Sequence, residues 1–371
     1  MDRAHRCSNT GHIKHLSSHL SSTQQLKVIR TTMYLPKPIF TTFALTSLTA
    51  LVAAMTPQFT YPLTTPHDEH YTAQIRKNLN IFHKNLSIAN YTAIGSLLSP
   101  DYYWNYDGTI LITRQVGAAA LEYFVESALH GLEGRDIYNL IDGNRGAVLF
   151  RISGKQSGDF LGLPLQKEGR YNVRSAEHFI FNGDAEAREV VTVTPTGVMK
   201  KQMTGEIEVP YAGSNVSLKA NPQTSLGFRE LVRKNMAALH LNVMAGDADK
   251  NAMFAAEDVE VDENGDVSRG REAFVGLVAA RNVGLGSFPE KAFHDFDVLA
   301  DGKLGAISYI WQGAQKEKYM DVPLKEGAIV RMRGMLFFEF NDNGLIEKAF
   351  SVYDEGVVNN TLTGTGGYLY P

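Results

Sequence analysis

The sequence predicts an α+β protein of two tandem domains, each with three helices packed on a curved antiparallel sheet. Two observations predict it. The chain repeats itself at long range, and each repeat places its helical pattern before its strand pattern. Arg76-Lys77-Asn78 recurs as Arg233-Lys234-Asn235, and at the same offset His83, Asp101 and Gly108 recur as His240, Asp258 and Gly265. Farther on, Asp142-Gly143 recurs as Asp301-Gly302, and 17 of the 64 positions from Asp142 to Gly205 find an identical residue 159 positions later. Chance at ordinary composition gives about four. A period this long marks a duplicated globular domain, because solenoid repeats run only ~20–50 residues.

Within each repeat the elements follow one order. A helical stretch comes first, IRKNLNIFHKNL or FRELVRKNMAALHLNVM, with apolar residues three and four apart. A short second segment follows, Tyr91 to Leu98 or Ala248 to Phe254. Next is a strand ending in a turn at Asp107-Gly108 or Asn264-Gly265. The third helix reads GAAALEYFVESAL or GREAFVGLVAARN. Strands complete the unit: Arg145 to Ser153, Tyr171 to Phe181 and Glu189 to Thr194, matched by Leu304 to Gln312, Ile329 to Phe340 and Lys348 to Tyr353. Helices first and a strand meander after make a sheet wrapped around its helices. The expected boundaries are 70–210 and 226–371, joined by a Pro-, Gly- and Ser-rich linker over 211–225.

Composition narrows the function. The net charge is -4, which argues against a nucleic-acid partner. The single cysteine, Cys7, excludes an intrachain disulfide framework and any multi-cysteine metal site. Ile39 to Met55 is an uncharged apolar run preceded by Lys37 and ending near Ala50, Ala53 and Ala54. It is shorter than the ~20 residues of a bilayer span and reads as a signal peptide over 33–55. The polar leader 1–32 then lies upstream of the better start at Met33. The expected location is secreted, with no stable membrane span after cleavage; the alternative is a membrane anchor through 39–55. Four glycosylation sequons follow, at Asn85, Asn90, Asn215 and Asn359.

At this level of detail the chain resembles the nuclear-transport-factor-2-like superfold and, within it, the SnoaL-like polyketide cyclases. The residues that carry the resemblance are Phe160-Leu-Gly-Leu-Pro164, similar to that group's F-x-G-x-P, and Gly270-Arg-Glu-Ala-Phe274. The endings FIFNGDAEAREVVTV and FFEFNDNGLIEKAFSVYD belong with them. The resemblance covers both repeats. It implies cone-shaped domains whose apolar interior takes a small molecule, with no cofactor and no metal. The superfold hosts isomerases, cyclases, dehydratases and non-catalytic binders, so fold alone does not select an activity.

Alternation in the long strand divides its residues between two faces. Tyr171, Val173, Ser175, Glu177, Phe179 and Phe181 form the more apolar set and are assigned to the pocket; Arg174 and His178 fall on the other face. Glu177 is then a carboxylate among aromatic residues, where burial favours the neutral form and suits it to proton transfer. The stretch Glu177-His-Phe-Ile-Phe-Asn-Gly183 is also similar to one in the ketosteroid isomerases, in which an acidic residue donates a hydrogen bond to an enolate oxygen. The pattern departs elsewhere. Asn105 and Asp262 stand where that family has its base, and Leu336 answers Glu177. Gln156 and Gln315 stand where many of the cyclases have a histidine.

The expected catalytic set is therefore Glu177 assisted by His83 and Asn105, with Tyr103, Phe179, Asp262 and His240 lining the ligand. Each has a plainer reading: Glu177 as a rim carboxylate paired with an arginine, His83 as a helix histidine bonded to a carbonyl, the run Tyr102-Tyr103-Trp104 as core packing. Arg174 and Arg333 fit a sheet-to-sheet contact between the repeats, an internal pseudo-dimer open to further self-association. Motifs for calcium, zinc, nucleotide and serine-hydrolase chemistry fail or are absent: Glu260 to Gly265 imitates a calcium loop but has Arg271 at the bidentate position, and His67-Asp-Glu-His70 lacks further ligands. Two functions remain: a cofactor-free cyclase, isomerase or dehydratase, or a non-catalytic binder that keeps the fold.

Overall fold

The computed structural model describes residues 69–106, 109–130, 132–209, 225–245, 247–280, 285–286, 292–319, 322–356 and 358. The leader, the signal segment, Asn215, Asn359, the Asp107-Gly108 turn and all of the 211–225 linker but its last residue lie outside them. Both repeats belong to one compact unit, Phe59–Pro371.

The first half runs α1 (Glu69–Ser87), α2 (Tyr91–Gly95), β1 (Leu98–Tyr106), β2 (Thr109–Ile112), α3 (Arg114–Glu122) and a π-turn (Tyr123–Ala128), then β3 (Glu133–Asp142), β4 (Arg145–Lys155), β5 (Arg170–Phe181), β6 (Ala187–Val193) and α4 (Thr196–Thr204). The second runs α5 (Leu226–Ala245), a 3₁₀ turn (Ala248–Phe254), β7 (Ala255–Glu263), β8 (Asp266–Arg269), α6 (Arg271–Ala280), β9 (Leu285–Gly286), β10 (Ala292–Asp301), β11 (Leu304–Gln315), β12 (Ile329–Phe340) and β13 (Ile346–Tyr353). The strand order is β2-β1-β6-β5-β4-β3 in one sheet and β8-β7-β13-β12-β11-β10 in the other, with β9 added on β11. The fold is α+β, with two sheets of the same order. In each, the antiparallel meander is joined to the β1 or β7 hairpin by one parallel pair, β1 with β6 and β7 with β13.

The strands β3 and β10 and the helix α4 are not expected from the sequence. The strands β3 and β10 carry charges between their apolar residues and each contains a bulge, so neither shows the strict alternation of a half-buried strand. The helix α4 follows β6 with a low apolar content. Its first turn is capped from the other half: Asp354 accepts the Thr196 hydroxyl at 2.5 Å and the Gly197 N–H at 3.3 Å.

Three apolar clusters organise the unit. In the first half, Ile75, Leu79 and Phe82 of α1 pack on Val148, Phe150, Val173, Phe179 and Phe181 of the sheet. In the second, Val232, Met236 and Leu239 of α5 pack on Ile307, Trp311, Met332 and Phe338. The third lies between the sheets: Ile137, Tyr138, Leu149 and Ala176 meet Leu304, Met335, Phe337 and Phe350. The sheets thus bury both faces, one under helices and one against each other.

The recurring residues acquire physical reasons. Arg76 pairs with Asp301 at 2.7 Å, and Arg233 pairs with Asp142 at 2.6 Å. The same carboxylates accept backbone N–H groups across the sheets, Asp301 from Ile141 and Asp142 from Ala300. Asn78 and Asn235 donate to Ala185 O and Gly344 O, tying each first helix to the turn between its last two strands. A Cβ added at Gly305 would lie 2.4 Å from Met236 Sδ, so α5 approaches the sheet where only glycine fits. Gln156 and Gln315 staple the F-x-G-x-P loop and its counterpart, donating to Leu163 O and Pro164 O or to Val322 O and Pro323 O.

Arg174 ion-pairs with Asp262 across the sheets and stands 5.7 Å over the Phe350 ring. Burial raises the Asp262 carboxyl pKa, and Arg174 opposes it. Removing one partner of a buried pair leaves the other charge uncompensated. Arg174→Ala is therefore expected to lower stability by about 3–5 kcal/mol in urea denaturation, while Arg188→Ala, at an exposed pair with Asp101, leaves the midpoint nearly unchanged.

Candidate functional site

The interior face of β5 meets α1 at one cluster of ionisable groups. His83 is buried, 9% exposed, on the inward side of α1. Its Nε2 lies 3.0 Å from Glu177 Oε2 on β5, and its Nδ1 lies 2.6 Å from Asp136 Oδ1 on β3. The Thr192 hydroxyl on β6 donates to Glu177 Oε1 at 3.1 Å, and the Trp104 indole N–H on β1 donates to Thr192 Oγ1 at 2.9 Å. A hydrogen-bonded line therefore runs from Trp104 through Thr192 and Glu177 to His83, whose other ring nitrogen makes a close ion pair with Asp136. Aromatic rings close around it: Phe150 stands 5.3 Å from the imidazole and Phe82 5.5 Å. Tyr102 lies nearby, its hydroxyl pKa driven well up by burial and further by the Glu177 charge.

Local structure explains the placement. The register of β3 on β4 jumps between Asp136 and Tyr138, so Ile137 is an extra residue. Ile137 and Tyr138 both join the cluster between the sheets, while Asp136 stays opposite Phe150 on the interior face. Bulges of this kind re-aim a side chain next to a site. The π-turn after α3 brings Phe124 to 5.0 Å from Tyr106 and 6.4 Å from Trp104.

Burial alone would push the His83 imidazole pKa down. The charges and hydrogen bonds of Asp136 and Glu177 outweigh it and hold the value up at about 10. At neutral pH His83 is an imidazolium set between the carboxyl groups of Asp136 and Glu177. Both ring nitrogens are engaged, so His83 has none to offer a metal ion. Among the described residues no group of three or more His, Cys, Asp or Glu side chains is arranged to hold one.

The expected site residues divide between the two faces of the sheet. Glu177 and His83 come together, and Phe179 packs fully buried on the same face against Phe181 and Phe82. Asn105 does not join them. It is paired with Val191 and so with His178, one residue out of phase with Trp104 and Glu177, and it belongs to the face turned toward the other sheet. Asp262 is corrected for the same reason: it pairs with Phe350 between the sheets and meets Arg174, outside the second interior. Tyr103 registers with Glu189 and likewise leaves the pocket face. The strand β1 was placed correctly, but its two faces were exchanged.

In the second half His240 is buried, 3% exposed, on α5. Around it Leu336 stands in place of Glu177, Ser351 in place of Thr192 and Val261 in place of Trp104. Trp311, Tyr309, Met332, Leu336 and Phe338 are all buried there. Asp136 and Thr192 are not among the residues expected from the sequence, and Trp104 is among them only as part of the aromatic run Tyr102-Tyr103-Trp104. The signal that could have found Thr192 and Trp104 is pairing on one sheet face, which requires the parallel β1–β6 register.

No protein family and no curated protein matches the chain. Solved structures do. A candidate SnoaL-like polyketide cyclase from Jannaschia sp. CCS1 aligns at 15% identity over 38% of this chain and 98% of its own, with a TM-score of 0.34. A candidate polyketide cyclase from Xanthomonas campestris aligns at 23% identity over 36% and 98%, TM-score 0.31. A protein of ketosteroid-isomerase-like fold from Catenulispora acidiphila, in complex with trimethylamine, aligns at 11% identity over 34% and 92%, TM-score 0.30.

The raised His83 value has a measurable consequence. Its folded pKa exceeds the value of about 6.5 in an unfolded chain, so the stabilisation is complete below about pH 6.5 and is lost as pH rises toward about 10. Thermal midpoints of the full chain are expected to fall between pH 7 and 10, and His83→Gln is expected to flatten that decline.

Proposed function

We propose that the first half binds an apolar, oxygenated small molecule and moves a proton on it without cofactor, in the manner of an isomerase or cyclase. The observation that carries this reading is the His83 imidazolium held between Asp136 and Glu177 in an otherwise apolar interior, a costly arrangement that packing alone does not require. Glu177 is the proton-transferring carboxylate. His83 orients it through Nε2 and holds countercharge beside it, Thr192 fixes its second oxygen, and Asp136 holds the far side of the imidazole. His83 is a positioning residue in this scheme, since an imidazolium with a pKa of about 10 is poorly matched to give up a proton at neutral pH. Asn105 has no part in it.

The second half is the non-catalytic member of the pair. Its interior is filled by Leu336, Met332, Phe338 and Trp311, which supports a scaffold role there. We read the halves as copies of one ancestral domain with boundaries near 70–210 and 226–371, packed as an internal pseudo-dimer. The reciprocal pairs Arg76–Asp301 and Arg233–Asp142 support this, because a self-complementary face repeats each contact with the roles exchanged. We also propose export through the signal segment 33–55, with glycans on Asn85 and the exposed Asn90. Among the described residues no helix is long and apolar enough to cross a membrane. N-terminal sequencing of protein recovered from the medium checks export: a start shortly after residue 55 is expected, and one upstream of Met33 overturns it.

Proton transfer is checked with 2-tetralone, an apolar ketone with acidic α-hydrogens, in D₂O. The full chain is expected to accelerate deuterium incorporation followed by NMR, and Glu177→Gln to reduce the rate by about 10²–10⁴-fold. Exchange that is absent, or that survives in Glu177→Gln, overturns the reading.

A further inference from the structure

The interior face of β5 carries two more polar groups than the proton-transfer cluster uses. Ser175 is 0% exposed and Tyr171 is 1% exposed, and neither hydroxyl has a hydrogen-bond partner among the described residues. Ser175 is paired with Phe150, the residue that rings His83, so its hydroxyl belongs to the same wall as Glu177. A buried hydroxyl without a partner is disfavoured, and proteins rarely keep one without a reason.

The second half shows that the fold does not require either group. At the corresponding positions of β12 stand Val330 and Gly334, and Leu336 answers Glu177. Gly334 faces Tyr309, the counterpart of Phe150, and a Cβ there would lie 2.2 Å from the Tyr309 hydroxyl oxygen. The Tyr309 side chain of the second half thus lies where the side chain of Ser175 stands in the first. On the neighbouring strand β11, Trp311 Nε1 is likewise buried without a hydrogen-bond partner among the described residues. Along β12 itself, all three polar positions of β5 are apolar.

We infer that Ser175 is a specificity-determining contact of the first-half site, and that the ligand is a flat apolar skeleton carrying two oxygen functions. One oxygen meets Glu177. The other meets Ser175 two residues along the strand, about 7 Å away. Tyr171 continues the same row for a longer ligand. This inference rests on the proposed ligand site of the first half and names its substrate class more closely. A hydroxyl is both donor and acceptor, so the second oxygen of the ligand is a carbonyl or a hydroxyl.

Two flat probes separate the contacts: 2-naphthol, an analogue of the tetralone enol with one oxygen, and naphthalene-2,7-diol, which adds a second at matching spacing. By calorimetry the full chain is expected to bind the diol about tenfold more tightly than the mono-ol. Ser175→Ala should abolish that preference and leave 2-naphthol affinity unchanged. A ligand-free melt gives a readout independent of any probe: Ser175→Ala and Tyr171→Phe are expected to melt no lower than the parent, because each removes a polar group without a partner. Equal binding of the two probes, no binding of either, or a preference that survives in Ser175→Ala overturns the inference. So does a markedly lower ligand-free melt of either variant, which would mean that its hydroxyl serves a structural water. Tetralone exchange that depends on Glu177 alongside such a result leaves the proton-transfer reading standing. A Ser175-dependent preference without exchange leaves the subsite and removes the chemistry.

Discussion

Everything in this unit depends on the burial of each sheet's outer face against the other sheet. A curved sheet covered by its own helices on one side still presents Leu149, Ala176, Val193, Ala306, Met335 and Phe337 on the other. Left in water, such a face would favour self-association. Here the faces cover each other, and the cross-pairs fix how they meet. The Arg76–Asp301 and Arg233–Asp142 pairs sit at the turns that end β3 and β10, where each aspartate also takes a backbone N–H from the opposite strand. Centre and rim have separate roles: the apolar centre supplies the driving force, and the charged rim sets the alignment.

The rim is not symmetric. The first half contributes Arg145, Arg174 and His178, and the second answers with Asp297 and Asp262. Tyr138 adds a hydrogen bond to Glu339 at 2.7 Å. In the Arg145–Asp297 and Arg174–Asp262 pairs the arginine comes from the first half and the aspartate from the second, which favours the mixed pair over two like halves, since like charges would meet across a buried surface. Covalent linkage in one chain makes such a division tolerable, because the two partners are always present together.

Much of this was legible in the sequence, for reasons that can be named. The repeat was readable because its identities are backbone and interface requirements: Gly305 under Met236, Asn78 and Asn235 at their turns, Asp142 and Asp301 at the rim. The faces of β5 are readable because no bulge interrupts its register on β4, so a period of two holds along the strand. What failed needed information that alternation cannot carry. Asn105 on β1 and Asp262 on β7 look like pocket residues by family analogy, while the parallel registers of β1 with β6 and of β7 with β13 decide their side. Asp136 was invisible because a bulge shifts the phase of β3 just beyond it. Glu177 and His83 are named together from the sequence, but Asp136 on β3 and Thr192 on β6, which complete their contacts, lie far away in the chain.

The two faces of a strand also explain how one half could keep a polar interior while the other lost it. Contacts between the sheets read only the outer face, so Tyr171, Ser175 and Glu177 can differ from Val330, Gly334 and Leu336 without disturbing a single cross-pair. The energetic consequences differ in sign. An interior of Leu, Met, Phe and Trp adds stability in proportion to the apolar area it buries. An imidazolium, two carboxylates and hydroxyls without partners subtract from it. A single domain carrying that cluster would bear the whole deficit. Joined to a second domain with an apolar core through a large shared face, it bears only part, because unfolding the first half also exposes the outer face of the second. A strained polar site can then persist where a lone small domain would fall below the stability it needs to remain folded.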